Sequence, residues 1–415
     1  MLRVVESFSG IGSQIKALKN IKVEHEILAT IDWDINAIIA YDIIHYGPPV
    51  LDEYKKMTKD ELVDILKDYT LSSDGKSPMT LAGLKRMSKI ELEHLLAAIR
   101  RSNNLTSITD IKGNDLPEEI DLFTYSFPCQ DLSIAGAWHG NNSGINRDAN
   151  NRSGMLWEVE RLLVERRDLN LKLPKFLLME NVSNILSATH RKNFQEWQSI
   201  LTDMGYYNVI YNLNAQDFGI PQKRKRVFML SVKCRNNDEK ALVDDYFINH
   251  DLETDIYRQK LNIQQKNIRE ILKLNYNEER YRLEANNSQP NDTPSRRKIY
   301  DENDIIYDNS KYISVISTIT TKQDRNPNSG VIDYDSGRVG KSIFRYLTPR
   351  ECFMFMGFDE EDYQRLIEND FNISSNRSFF TYNKLYKLAG NSIVVNVLEY
   401  IFKQLDYVNK NILKN

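Results

Sequence analysis

Cysteine is scarce in this chain. Only Cys129, Cys234 and Cys352 occur, far apart and without paired spacing, a pattern that excludes a disulfide framework and a cysteine-rich zinc site. No metal is expected. Long apolar runs are missing too: no stretch approaches the roughly 20 residues that span a bilayer, so no membrane partner is expected. The start, Met1-Leu2-Arg3-Val4-Val5-Glu6, lacks a charged leader followed by an apolar signal segment. A cytoplasmic, reduced setting follows. Charge of one sign is not in excess either. A net charge of −3 neither indicates nor excludes a nucleic-acid partner, because binding needs only a local basic surface.

What is present is ordinary globular material, 41% hydrophobic and 27% charged over 415 residues, enough for a sizeable core and for two lobes. Leu2 to Phe8 is β-prone and runs into Ser9-Gly10-Ile11-Gly12. A helix to about Asn20, a strand at 26–31 and a helix at 36–44 follow. Strand, glycine turn, helix and strand open a doubly wound α/β domain. Residues 51–104 interrupt the alternation with helical periodicity at 55–69 and 88–101; they read as a solvated helical insert of unknown role. Strands resume at 121–126, 176–179 and 226–230. From about 234 to 342 polar residues dominate and 286–298 reads as loop, which marks a second lobe. A helical pattern at 348–358 and an amphipathic helix at 393–405 close the chain.

Four constellations carry chemistry. Gly10 and Gly12 allow close backbone approach at a helix amino terminus. About 20 residues on, Asp32 is placed for ribose hydroxyls and Trp33 for an adenine face. No third glycine follows, so the turn suits a nucleoside lacking pyrophosphate, or is an ordinary strand–helix connection. Cys129, in Ser126-Phe127-Pro128-Cys129-Gln130, sits at a carboxyl strand end, where open α/β sheets place their sites. It is either a nucleophile or a small buried hydrophobe. Glu180, in Met179-Glu180-Asn181-Val182, also leaves an apolar strand. It is a partly desolvated proton donor, or a capping or solvated acid. In Gln222-Lys223-Arg224-Lys225-Arg226, strand periodicity puts Gln222, Arg224 and Arg226 on one face, suited to carboxylate, phosphate or base-edge recognition. An apolar strand around them argues against a localisation signal.

In this order, the elements resemble the DNA (cytosine-5) methyltransferase family over nearly the whole chain. Phe8, Ser9, Gly10, Ile11 and Gly12 look like its cofactor loop, Asp32-Trp33 its acidic–aromatic pair, and Asp110-Ile111 its adenine-side turn. Pro128-Cys129-Gln130 is similar to the nucleophile motif, Glu180-Asn181-Val182 to the acid motif and Gln222-x-Arg224-x-Arg226 to the basic strand. Residues 151–158, including Leu156, and 345–352 also fit, as does Gly390-Asn391-Ser392 with the segment to Val397.

The resemblance implies a Rossmann-like S-adenosylmethionine-dependent domain at 1–233, a smaller mixed target-recognition domain at 234–342, and a segment at 343–415 that returns to the catalytic domain. It makes Cys129, Glu180, Arg224 and Arg226 catalytic. Phe8 to Gly12, Asp32, Trp33, Asp110, Ile111, Pro128, Leu156, Asn391 and Ser392 would hold S-adenosylmethionine. Gln130, Ser133, Thr318, Thr320, Lys322 and Arg325 would meet double-stranded DNA, with Gln323 and Asn326 beside them as base-reading types or a solvated loop. The loop holding Ser133, Gly136, His139, Gly140 and Gly144 is glycine-rich enough to close over substrate. Cys234 and Cys352 read as structural. A monomer is expected, with a cognate restriction endonuclease acting on the same site without a stable complex. An RNA methyltransferase on the same scaffold is disfavoured by the long polar lobe, and a silent DNA-binding regulator by the intact catalytic set. A nicotinamide dehydrogenase fails for want of the third glycine and a matching catalytic pair.

Overall fold

The computed structural model describes residues 1–128, 132, 145, 152–308 and 311–413. At its centre lies a six-stranded sheet built from β1 (Leu2–Ser7), β2 (His25–Ile31), β3 (Leu122–Tyr125), β4 (Phe176–Val182), β5 (Tyr206–Asn214) and β7 (Lys225–Lys233). Their order across the sheet is β2-β1-β3-β4-β7-β5. The first four strands are parallel, while β7 runs antiparallel to both β4 and β5. Short β6 (Gln222–Lys223) precedes β7 and leaves the main sheet to pair with Ile316–Ser317.

Strand side chains alternate between two faces, and here both faces are covered. Val4, Leu122, Leu178, Phe228 and Leu230 enter one core. Val5, Phe123, Leu177, Met179, Val227 and Met229 enter the other. Double burial explains why these strands read as continuous apolar runs. β5 interrupts its apolar and tyrosine residues with Asn208, Asn212 and Asn214, and it has no counterpart among the expected strands.

Helices α1 (Ser13–Asn20) and α2 (Ile35–Tyr46) lie close to their expected bounds. The insert differs from its expectation. It forms helices Asp52–Lys55, Lys59–Leu66, Leu81–Arg86 and Lys89–Arg101. Leu92, Leu95, Leu96, Ala98 and Ile99 of the last are buried in the first core. Its charged residues mark one face only, and the apolar face is structural. Residues 286–298 are likewise not all loop: they end helix Glu279–Asn287 and begin helix Pro294–Glu302, capped by Thr293.

The polar segment divides in two. Helix Asn237–Asn249 packs toward β5, and its Tyr246 stacks on Tyr407 of the closing helix Val395–Asn411. Farther along, Ile305–Asp308, Lys311–Tyr312, Val331–Asp333 and Phe344–Arg345 make a four-stranded sheet. Among the described residues no helix is long and apolar enough to cross a membrane. Cys352 is fully buried and Cys234 half-buried.

One buried ion pair fixes how the small sheet meets the closing helices. Arg345 and Glu351 are both 0% exposed, in bidentate contact at 2.8 and 2.9 Å. Glu351 also accepts from the Thr348 and Lys273 amides, completing the capping box of helix Pro349–Phe355. Glu351→Ala strands the Arg345 charge and is expected to cost roughly 3–5 kcal/mol. Urea unfolding should show this as a lower midpoint at unchanged slope.

Candidate active site

Parallel strands bring their carboxyl ends to one edge, as the pairs Ser7–Ile31, Ser7–Tyr125 and Tyr125–Met179 show. The site is built there. After β1 the chain takes three left-handed residues, Phe8 (φ 55°), Gly10 (54°) and Gly12 (75°). The Phe8 amide donates to the Ile31 carbonyl at 2.7 Å. The Gly10 amide donates to one Asp32 oxygen and the Asp34 amide to the other, both at 2.9 Å. Burial, reinforced by the Asp34 charge, pushes the Asp32 carboxyl up to about 6 against these hydrogen bonds.

Gly12 has a steric reason to be glycine. A Cβ there would lie 2.2 Å from His45 Nε2 and 2.7 Å from a Tyr41 ring carbon. The His45 Nε2–H donates to the Ile11 carbonyl at 2.8 Å. Burial pushes this imidazole down to about 3, so it remains neutral. Beside Gly10, by contrast, a Cβ would meet open space, and the backbone stands free for a ligand. Ser13, opening α1, shares a 2.9 Å hydrogen bond with Ser392.

Cys129, Gln130 and Ser133 lie outside the described residues, as do Gly136, His139, Gly140 and Gly144. The frame beneath them is defined. Asn181 Nδ2 donates to the Phe127 carbonyl at 3.1 Å and pins the Pro128 loop to β4. Glu180, 7% exposed, accepts from Ser126 Oγ and meets Arg226 Nε at 3.4 Å. The register explains that contact: Val182 pairs with Arg226, and Glu180 lies two residues away on the same face.

Gln222, Arg224 and Arg226 do not share one face, because the strand breaks between β6 and β7. Gln222 Nε2 donates to the Phe355 carbonyl, and its Oε1 accepts from the Ile319 amide. Arg224 is buried and donates to the carbonyls of Ile319 (3.0 Å), Gly390 (3.1 Å) and Ser392 (2.8 Å). Arg226 faces Glu180. The regular strand period failed here because Arg224 holds the turn, its amide bonded to the Asn214 side chain at 3.0 Å.

Other expected residues take varied places. Trp33 is half-buried at the end of β2, Ile111 and Leu156 are buried in the second core, and Asn391 is exposed. Asp110 is exposed, its carboxylate accepting from Thr109. From this stretch it is Asn104 whose side chain meets the Asp32 amide, at 3.3 Å, while holding the Thr106 amide at 2.7 Å. Neither Asn104 nor His45 belongs to a short motif, so only the fold reveals them, while Ser126 opens the Cys129 constellation without a role that the sequence assigned. A further addition is Glu6, fully buried under the loop, where burial pushes its carboxyl up to about 7.

In the segment expected to meet DNA, Thr318 Oγ1 donates to the Lys223 carbonyl. The Thr320 and Thr321 backbone packs so closely on Gly390 that a Cβ there would lie 2.5 Å away. Gln323 is buried against Ser329, whereas Lys322, Arg325 and Asn326 are exposed.

A C-5 cytosine-specific DNA methylase profile matches residues 86–406. The chain belongs to that family. This methylase is 34% identical to the orphan methyltransferase M.SssI of Spiroplasma monobiae, over 97% of each chain. It is also 34% identical to the type II methyltransferase M2.ScrFI of Lactococcus lactis subsp. cremoris, over 98% of this chain and 99% of the relative. The Dnmt2 methyltransferase structure of S. pombe shares the fold at TM-score 0.58 and 19% identity, over 99% of this chain and 100% of that one. The methylase is therefore a DNA (cytosine-5) methyltransferase with the expected Rossmann-like α/β fold.

Gly12→Ala must adopt a left-handed conformation and displace His45. It is expected to destabilise the methylase by at least about 1–2 kcal/mol, measured by chemical denaturation.

Proposed function

We propose that this methylase moves a methyl group from S-adenosylmethionine to C5 of a cytosine flipped out of duplex DNA, through a covalent adduct of Cys129. The observation that carries the reading is the Glu180 carboxylate, held between Arg226 and Ser126, the latter just past the carboxyl end of β3 and three residues before Cys129 in sequence.

The cofactor fits the loop described above. Gly10 leaves open space beside its backbone, and Asp32 stands at the end of β2 to accept from ribose hydroxyls. Trp33 offers the adenine face, and the Phe8–Gly12 turn, Pro128, Asn391 and Ser392 complete the surround. When bound, the cofactor supplies an electrophilic methyl on a sulfonium.

Cytosine C5 is a poor nucleophile until something adds at C6. The Cys129 thiolate forms that C6–S bond while Glu180 delivers a proton to N3, so the ring electrons localise at C5. Arg226, beside Glu180, holds the O2 side. After C5 accepts the methyl, solvent water takes the C5 proton as the C6–S bond breaks and releases the Cys129 thiolate, and the N3 proton returns to Glu180. Arg224 supports this site from its carbonyl cradle. None of these atoms is reachable in a stacked duplex, so extrusion, costing a few kcal/mol, must be offset by protein contacts. Exposed Lys322 and Arg325 with Thr318, Thr320, Gln130 and Ser133 supply candidates. The name of the type II relative supports protection of DNA within a restriction–modification system; the proposal adds a cytoplasmic monomer and a cognate endonuclease that acts on the same DNA site without a stable complex.

Bisulfite sequencing of DNA from cells expressing the chain should show protected cytosines in one sequence context; uniformly convertible DNA overturns the reading. Cys129→Ser should abolish methyl transfer while retaining S-adenosylhomocysteine binding. Glu180→Gln should lower kcat by about 10²–10⁴-fold, measured by single-turnover transfer to duplex DNA. Ribose hydroxyls donate to the Asp32 anion, so protons compete with the cofactor. Affinity should be full above pH 6 and fall roughly tenfold per pH unit below about 6. Calorimetric titration should show that dependence, and Asp32→Asn should flatten it.

A further inference from the structure

Residues 71–77 sit in the middle of the helical insert and belong to none of the motifs above. Their backbone nevertheless joins the turn that follows Asp32. The Ser72 amide donates to the Trp33 carbonyl at 2.7 Å, and the Ile35 amide donates back to the Ser72 carbonyl at 3.0 Å. This is a parallel bridge between Asp34 and Ser72. Asn36 Nδ2 adds a bond to the Ser73 carbonyl at 3.2 Å. The insert thus adds one bridge just past the carboxyl end of β2, at Asp34, directly after the two residues assigned to ribose and adenine.

A third segment closes the junction. Lys387 Nζ donates to the Asp34 carboxylate and to the Asp74 carbonyl, each at 2.6 Å. It lies on helix Tyr382–Asn391, four residues before Asn391, and so on the same helix face. Gly75 leaves the space this contact needs: a Cβ would lie 2.9 Å from Asp34 Oδ2 and 3.1 Å from Lys387 Nζ. The Lys387 charge also favours the Asp32 anion.

We infer that residues 71–77 of the insert and Lys387 form a brace that holds Asp32-Trp33 and Asn391-Ser392 in the arrangement that binds the nucleoside end of the cofactor. Lys387 is a positioning residue and touches neither substrate. The inference rests on the proposed use of S-adenosylmethionine. Its physical content is a charge-assisted hydrogen bond from Lys387 to Asp34, spanning three segments distant in sequence.

The test uses the full chain, S-adenosylhomocysteine as the binding probe and duplex DNA as the methyl acceptor. Lys387→Met should raise the Kd for S-adenosylhomocysteine and the KM for S-adenosylmethionine about tenfold, the expected effect of losing one charge-assisted hydrogen bond. The KM for DNA and the kcat at saturating cofactor should stay within about twofold. Lys387→Arg keeps a donor for Asp34 and should recover most of the affinity. Gly75→Val, made from the insert side, should reproduce the same split. Wild-type affinity in both Lys387→Met and Gly75→Val overturns the inference, as does a parallel loss of kcat and DNA affinity, which would mark a merely structural role. Failure of the unaltered chain to bind S-adenosylhomocysteine would instead overturn the cofactor reading beneath it.

Discussion

The antiparallel pairing of β7 with β4 is the constraint on which the site depends. A parallel β7 would bring its carboxyl end, Lys233, to the active edge. Running antiparallel, it brings its start there and seats Arg226 beside Val182, one diagonal step from Glu180. The same direction places Arg224 just outside the sheet, where it can turn away from Glu180. Two arginines two residues apart thus do different work. One faces the acid of the proposed chemistry; the other is buried among backbone carbonyls.

That second arginine shows how the distant parts are held. A buried guanidinium is costly unless its donors are matched. Both terminal nitrogens of Arg224 donate to carbonyls, of Ile319 in the polar segment and of Gly390 and Ser392 far along the chain. Ser392 in turn reaches Ser13 at the start of α1. The loop that opens the chain is therefore completed by residues nearly 380 positions later, as the Ser13–Ser392 separation records. Contacts so distant in sequence require most of the chain to be in place before the pocket exists. Gly390 permits this closure because its backbone touches Thr320 and Thr321 where a side chain would clash.

Much of this was legible in sequence because local patterns report local geometry. The apolar runs of β1, β3, β4 and β7 match strands covered on both faces. Glu180 and Arg226 stood out because each begins or ends such a run. What stayed hidden depends on tertiary meetings. The insert looked solvated because charged residues are spread along its length, yet its apolar residues fall on one helical face and fill the core against α2. Asn104 contacts Asp32 across 72 positions, and no spacing rule connects them. Arg224 broke the period-2 expectation because a turn, invisible in a run of basic residues, separates β6 from β7.

The recognition segment follows the same division between local and tertiary demands. Ile316, Ile319 and Gln323 are buried and serve the catalytic lobe, the middle one through its carbonyl to Arg224 and its amide to Gln222. Lys322, Arg325 and Asn326 lie between and beyond them, exposed on the turn and absent from those buried contacts. A substitution at Ile319 therefore acts on the shared frame, whereas one at Lys322 or Arg325 changes surface chemistry alone. Anchoring by buried main-chain bonds leaves the exposed side chains free to vary, as the proposed contact with DNA requires, while the geometry around Glu180 and Arg226 stays fixed.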